Sequence, residues 1–353
     1  MSEIIDRYTR SNACKFIFLL LLFFLLPLLF CLSICVGSVS IPFFDTVSIL
    51  FGNKVTDERY ELIVLRIRLP QSIAAVLAGA GLSISGATMQ GVLRNPLCSP
   101  FTLGISGAAA FGAALTLMVL GGKIVAQDNT MINIGFSQSL IALGAFLLSV
   151  LTCGVILLLD RFRGSRSETV ILLGVAFSSL FTAGLMFLQY VADESRLAAI
   201  VYWTFGDTAR ATWNTIIILS ICIIPSSIYF ISQSWSYNAL AFGEETAQSL
   251  GVRVRQLQTI TMILASMLTA VLVSLLGIIG FVGLVVPHLS RLIVGSDNRF
   301  LLPFSLVFGA ILLLAADMLA RMILAPRILP VSILTAFIGV PVFLSLLLNK
   351  KNM

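Results

Sequence analysis

From residue 16 onward the chain alternates long apolar runs with short breaks rich in charge, glycine or proline. A helix that spans a bilayer takes roughly 20 mostly apolar residues. Runs of that kind predict helices over 16–37, 70–92, 101–122, 137–159 and 169–191. Five more are expected over 213–232, 257–279, 281–294, 301–320 and 331–348, the eighth of the set being short. The connections leave no room for a large soluble domain, so residues 1–353 read as a single all-α, polytopic transmembrane domain of about ten helices. The first run follows a polar start containing Arg7, Arg10 and Lys15. It is longer than the apolar region of a secretory signal and lacks a small-residue cleavage site after it, which favours an uncleaved span. Leu32-Ser33-Ile34-Cys35 faintly suggests a lipoprotein box, against which bulky Ile34 argues. The connection over about 240–256 is polar enough to leave the bilayer and reads as two short helices broken at Gly251.

Composition supports the same picture: 58% of the 353 residues are hydrophobic and 11% are charged. Soluble domains carry about 25% charged residues, so this surface needs lipid around it. An even number of spans puts both termini on one side. Placing them in the cytoplasm assigns 13 of the 22 basic and 7 of the 16 acidic residues to inner segments, so the whole net charge of +6 lies inside. That is the asymmetry of the positive-inside rule. The basic excess therefore reports orientation, and nucleic acid is excluded as a partner because no basic cluster interleaved with aromatics occurs.

Several chemistries are missing. There is no G-x-x-x-x-G-K-[ST] loop to cradle phosphates, so the chain hydrolyses no ATP alone. His288 is the single histidine, and no paired-histidine spacing could build a catalytic metal site. Cys14, Cys31, Cys35, Cys98, Cys153 and Cys222 lack metal-ligand spacing and read as small apolar packing residues, with only Cys31 and Cys35 one turn apart. Dense small residues, as at Ala78-Gly79-Ala80-Gly81, Gly86, Gly104, Gly107, Gly112, Gly277, Gly280 and Gly283, permit close helix contacts. Gly and Pro breaks could also bend helices around a polar pathway. Charges cluster at span ends, with Asp317 the main exception, one turn from Arg321 in a pair that reads as structural. The scarcity of acids and histidines at membrane depth disfavours a proton-driven carrier, a membrane-embedded enzyme or a receptor.

The stretch Arg68-Leu69-Pro70, with Gly79-Ala80-Gly81-Leu82, Ser85-Gly86, Gln90, Arg94-Asn95-Pro96-Leu97 and Leu103-Gly104-Ile105-Ser106-Gly107-Ala108, resembles the FecCD-type permeases of ABC importers. A second block is similar to the same family: Gly243-Glu244 to Leu250-Gly251, then Gly280 to His288 and Arg291, and on through Ala316-Asp317, Ala320-Arg321 and Gly339-Val340-Pro341. The match runs in order over roughly residues 60–349. It implies a type II importer permease with ten helices, of the kind that moves iron-siderophore complexes, haem or cobalamin inward, iron-siderophore leading. The implied setting is the bacterial or archaeal inner (cytoplasmic) membrane. The implied partners are membrane lipid, two ABC ATPase subunits, a second permease copy or sister permease, and a periplasmic or lipid-anchored substrate-binding protein. No cofactor is implied in this chain, ATP and Mg being used by the ATPase.

The resemblance also assigns roles. Glu244, Glu245, Ala247 and Gly251 fall where the family couples to its ATPases, the small Ala247 being expected to let a helix sit in an ATPase groove. Outer-face arginines of the family receive carboxylates of the binding protein, which implies docking roles for Arg68 and Arg321, with Arg66 beside them and Arg327 flanking the last connection. Family members often carry arginine directly after the Leu-Pro, where this chain has Gln71, so Arg66 is the candidate replacement. Asn95, Pro96 and Leu97, in the inner turn between the second and third spans, are implied near the cytoplasmic gate, with Ser167 and Glu168 at the start of the fifth span as looser candidates. His288 belongs to the family pattern whatever the cargo and reads as structural.

Overall fold

In a computed structural model of the protein, the backbone is described for residues 2–37, 39, 41–52, 57–124, 131–163 and 167–348. Of the charges counted above, Lys54, Lys123, Asp128, Arg166, Lys350 and Lys351 lie outside the described residues or side chains, as do the side chains of Glu3, Asp6, Arg7, Arg10, Arg161, Arg163 and Ser167. Almost everything described is helical. Helix α1 (Ser2–Cys35) is followed by short α2 (Phe43–Leu50) and α3 (Glu58–Leu62), and α3 runs on through a π-helical stretch, Ile63–Arg68, into α4 (Leu69–Val92). Then come α5 (Ile105–Ile124), α6 (Met131–Arg163), α7 (Ser167–Val191), α8 (Glu194–Thr204) and α9 (Trp213–Ser232). Short α10 (Ser234–Ala241) and α11 (Glu244–Ser249) lead to α12 (Val254–Leu276), α13 (Val282–Val294), α14 (Asn298–Ile323) and α15 (Val331–Leu348). An isolated bridge joins Phe205 to Ile278.

Seven of these helices are long and apolar enough to cross a membrane, and three shorter apolar helices cover 105–119, 282–294 and 331–345, all among the described residues. Each expected span has its helix. The boundaries differ where local chemistry extends them. The helix expected from residue 70 begins at Glu58, because Asp57 caps it by accepting the Arg59 N–H, and Pro70 is tolerated since the π-helical turn leads into it. Helices α2, α3, α8 and α10 lie outside the expected spans, and the 240–256 connection holds one short helix, α11, before Gly251, the chain after it entering the long α12 where a second short helix was expected.

The bundle is organised around α4. In its most apolar stretch 83% of residues are buried, against 11% for α1, which lies at the periphery. Helices α9, α12, α13 and α14 all pack on α4, and its small residues set how close they come. A β-carbon at Gly86 would fall 1.7 Å from the Gly283 carbonyl oxygen, and one at Gly79 2.2 Å from that of Gly309. Backbone therefore touches backbone at two heights along α4. Such contacts replace hydrophobic drive, which is absent between helices in lipid, with van der Waals packing. At Gly79, Gly86, Gly112 and Gly283 the small residues of the sequence thus serve helix contact.

Helix direction divides the charges between two ends. At one lie the Arg94 turn, α10, α11 and Asp297; at the other lie the C-terminus of α1, Arg68, the 205–212 segment and Arg321.

Candidate functional site

At the first end, Gly243 (φ +116) opens α11 and Gly251 (φ +84) follows it. Both conformations suit glycine, which has no β-carbon to clash. The Gly251 N–H donates to Gln248 O at 2.9 Å and the Val252 N–H to Ala247 O at 2.9 Å, which closes the helix and turns the chain into α12. Glu244 and Glu245 occupy the first turn, where the exposed N–H groups favour negative charge. Glu244 is half-buried and accepts from Gln258 Nε2 at 3.2 Å, while Glu245 and Gly251 are exposed. Ala247 corrects the expectation set for it. It is fully buried against Leu240 and Val254, so its small size lets α11 sit on its own chain and it offers no surface to a partner. The outward face is carried instead by Phe242 and Leu250, 79% and 67% exposed, which bracket α11.

The Arg94–Leu97 turn adjoins this segment. Arg94 has φ +48, and the Asn95 side chain accepts the Leu97 N–H at 2.9 Å, fixing the turn as an asparagine can. Pro96 and Leu97 are exposed. Arg94 lies 3.6 Å from Glu244, so the expected gate turn and the expected coupling helix are joined by an ion pair, both partners nearly half exposed. A cleft of about 260 Å³ opens beside it, lined among others by Gln90, Asn95, Tyr237 and Arg291. Glu168 is exposed at the start of α7, whose Val170 joins the buried cluster that holds Leu93 and Cys98 and whose Gly174 packs against the Thr102 carbonyl.

A clasp that the sequence did not reveal holds this end together. Asn238 of α10 donates to Asp297 Oδ1 at 2.8 Å and accepts from both the N–H and the side chain of Asn298 at 2.8 Å. Asp297 also pairs with Arg299 at 2.5 Å, whose guanidinium stacks 4.4 Å from the Trp235 ring centroid. Burial pushes the Asp297 carboxyl up, but hydrogen bonds from Arg299 and Asn238 outweigh it and hold the pKa down at about 2.

At the opposite end two of the arginines expected at the docking surface, Arg68 and Arg321, are buried. Arg66 is exposed, as is Arg327, but Arg68 and Arg321 are only 4% and 3% exposed. Arg68 donates to Ile34 O at 2.9 Å, to Cys35 O at 2.8 Å and to Val39 O. Arg321 donates to Ser33 O at 3.1 Å and to Ser33 Oγ at 2.6 Å, and pairs with Asp317 at 2.8 Å. Since the Leu32 carbonyl accepts the Val36 N–H, all four terminal carbonyls of α1 are satisfied, which helix geometry alone leaves open. The cations also lie at the negative end of the helix dipole. Arg68 and Arg321 thus cap α1 from inside the protein. The pair of Asp317 with Arg321 is structural, as read. Asp317 further accepts from Gln71 Nε2 at 2.8 Å and Thr208 Oγ1 at 2.5 Å, so Gln71 serves this buried network. His288 is half-buried on α13. Among the described residues no three His, Cys, Asp or Glu side chains gather as a metal site.

The profile of the FecCD transport family matches residues 25–349. A Methanocaldococcus jannaschii protein named as an ABC transporter permease is 48% identical, with 98% of each chain covered. The hemin transport system permease HmuU of Yersinia pestis is 36% identical over 94% of this chain and 96% of its own. Relatives named for vitamin B12 import, from Vibrio parahaemolyticus, and for molybdate import, from Haemophilus influenzae, are 35% and 34% identical. A solved structure described as an inward-facing metal-chelate type ABC transporter superposes with a TM-score of 0.79 at 32% identity, covering 93% of this chain and 98% of that one.

Proposed function

The chain belongs to the FecCD transport family of ABC importer permeases, and on that footing we propose that it carries an iron-siderophore complex inward across the cytoplasmic membrane of a bacterium or archaeon. Ten spans with both termini cytoplasmic, a type II arrangement, and pairing with a second copy or a sister permease complete the reading. Two ABC ATPase subunits, using ATP and Mg, supply the energy in trans, and this chain does no covalent chemistry.

The observation that carries it is α11, a short helix standing outside the apolar bundle between two exposed apolar side chains, Phe242 and Leu250. An adjoining groove of about 830 Å³, lined among others by Trp235, Asn238, Gly251 and Arg253, gives an ATPase a shaped surface to hold. The Arg94–Glu244 pair supports a mechanical link from that surface to the turn beside the pathway. Alternating access then amounts to a bistable repacking of helices. A binding protein of complementary charge docks at the other end through Arg66, while Glu168 and the Asn95-Pro96-Leu97 turn border the inner gate.

The hemin relative favours haem as a second cargo, with cobalamin next. Uptake into proteoliposomes holding this chain with its ATPase and binding protein, offered ferric siderophores, haem and cobalamin with and without internal ATP, tests both. ATP-dependent accumulation of the siderophore alone is expected. Accumulation of haem or cobalamin instead replaces the cargo assignment, and ATP-independent uptake overturns the importer.

A further inference from the structure

Helix α2 has two apolar faces. Thr46 and Ile49 turn inward, and Ile49 joins Ile34, Ile41 and Val64 in a small buried cluster. Phe43, Phe44, Leu50 and Phe51 turn outward, and Phe44 and Phe51 are 82% and 81% exposed. Positions 43, 44, 47, 50 and 51 recur at the helical period, so the exposed residues share one face. A short connection holding four large apolar side chains in water would be an oddity in a soluble protein, where such patches mark contacts.

Depth identifies the contact. Lys15 of α1 sits 5.4 Å from the Phe300 ring centroid, at the Asp297 end of the bundle. From Lys15 to Ile34, α1 climbs about 28 Å at ~1.5 Å per residue, close to the ~30 Å hydrocarbon thickness of a bilayer. Ile34 therefore stands at the far edge of the hydrocarbon, and Ile49 packs α2 onto it. The outer face of α1 is apolar and exposed up to Leu32, as a lipid-facing helix must be, and the α2 face continues that surface with no basic residue interposed in the described connection.

We propose that α2 is an interfacial helix, its Phe43, Phe44, Leu50 and Phe51 face seated in the headgroup and upper acyl zone of the leaflet at the Arg68 and Arg321 end. Short apolar-faced helices lie in that zone with one side among the chains and the other toward the protein or water. Seated there, α2 anchors the α1–α3 connection against the membrane. This goes beyond the importer reading and does not depend on its cargo or partners.

The experiment places tryptophan at Phe44 or Phe51 in the full-length permease reconstituted into lipid vesicles, the fluorescence of Trp203, Trp213 and Trp235 being subtracted with the parent protein. Both sites are highly exposed, so the core is untouched. Expected are a blue-shifted added emission, its loss in lipids brominated high on the acyl chain, a smaller loss with bromines near the chain end, and resistance to aqueous iodide. Added emission that iodide quenches and brominated lipid does not would overturn the proposal and make the face one for a soluble partner. Protection from both quenchers would overturn it equally, assigning the face to a second copy of this chain. Phe44→Ser with Phe51→Ser should shift the α2 connection toward faster proteolysis in vesicles but leave its rate in detergent unchanged. Equal rates in both settings would count against the anchor.

Discussion

Arg68 and Arg321, far apart in the chain, converge on one helix end: Arg68 Nη1 donates to the Ile34 carbonyl at 2.9 Å and Arg321 Nη1 to the Ser33 carbonyl at 3.1 Å. Both cations are buried, and Arg321 alone pairs with a carboxylate, the buried Asp317. Their charge is spread over carbonyl oxygens at a helix C-terminus, where the dipole favours it.

This arrangement predicts what Arg321→Ala does. Removing one member of a buried ion pair leaves the other unpaired, at a cost of roughly 3–5 kcal/mol. A lowered thermal midpoint of the purified permease in detergent is expected, with no binding protein present. An unchanged midpoint together with weakened docking would return Arg321 to the surface role.

Gly37 gives an independent check on the same cap. A β-carbon there would lie 2.8 Å from Arg68 Nη2, so Gly37→Ala should destabilise by ~1–3 kcal/mol through overpacking. The control is Gly91→Ala, where no atom lies within 4 Å. In that helical position alanine should be neutral or stabilising by about 0.5–1 kcal/mol. Comparing the two unfolding midpoints decides whether the clash is real.

Arg66 and Arg327 are both exposed at this end, and on the proposed function Arg66 is the docking candidate. Its reversal, Arg66→Glu, should weaken binding-protein capture at low salt and matter less as salt rises, because exposed charges are screened within about 10 Å at 0.1 M. Affinity measured by surface plasmon resonance across ionic strength reads this out. Equal affinities at low salt would remove Arg66 from the interface.

At the other end, Gly251→Pro conflicts with the backbone twice. Proline fixes φ near −65° where Gly251 has φ +84, and it removes the N–H that donates to Gln248 O. The bundle should remain folded, since no atom lies within 4 Å of the missing β-carbon, while co-purification of the ATPase falls. Arg94→Ala, which breaks only a half-exposed pair, should change stability by less than about 1 kcal/mol.

Acid should test the Asp297 clasp. Its carboxyl titrates at about 2 in the folded protein and near 3.9 in an unfolded chain. A depressed acid contributes stability that is fully present above the unfolded value and is lost as pH falls toward the folded one. The midpoint difference between the parent and Asp297→Asn should therefore hold from about pH 5 to 8 and shrink between about pH 4 and 2.

Helix placement was legible because length and apolarity report directly on the bilayer: every expected span overlies a helix. So was the Asp317–Arg321 pair, which is local. The burial of Arg68 was not, since a basic residue at a span edge looks the same whether it faces headgroups or a neighbouring helix end. Its partners are main-chain carbonyls, which every sequence possesses, so no side-chain pattern announces them. The Asn238–Asp297–Asn298 clasp was hidden for a related reason: its residues lie some sixty positions apart and each is an ordinary polar residue beside a span. Ala247 was misread because a small residue fits either a partner's groove or its own chain, and only packing distinguishes them.

The glycine contacts of α4 limit how this molecule can move. With Gly86 laid on the Gly283 backbone and Gly79 on that of Gly309, α13 and α14 each touch α4 backbone to backbone, α13 at one height and α14 at another, and sliding either along α4 would drive side chains into these contacts. Close-packed interiors transmit displacement instead of absorbing it. On the proposed importer reading, the three helices are therefore expected to travel as one block, with the sliding that opens and closes a passage falling outside it.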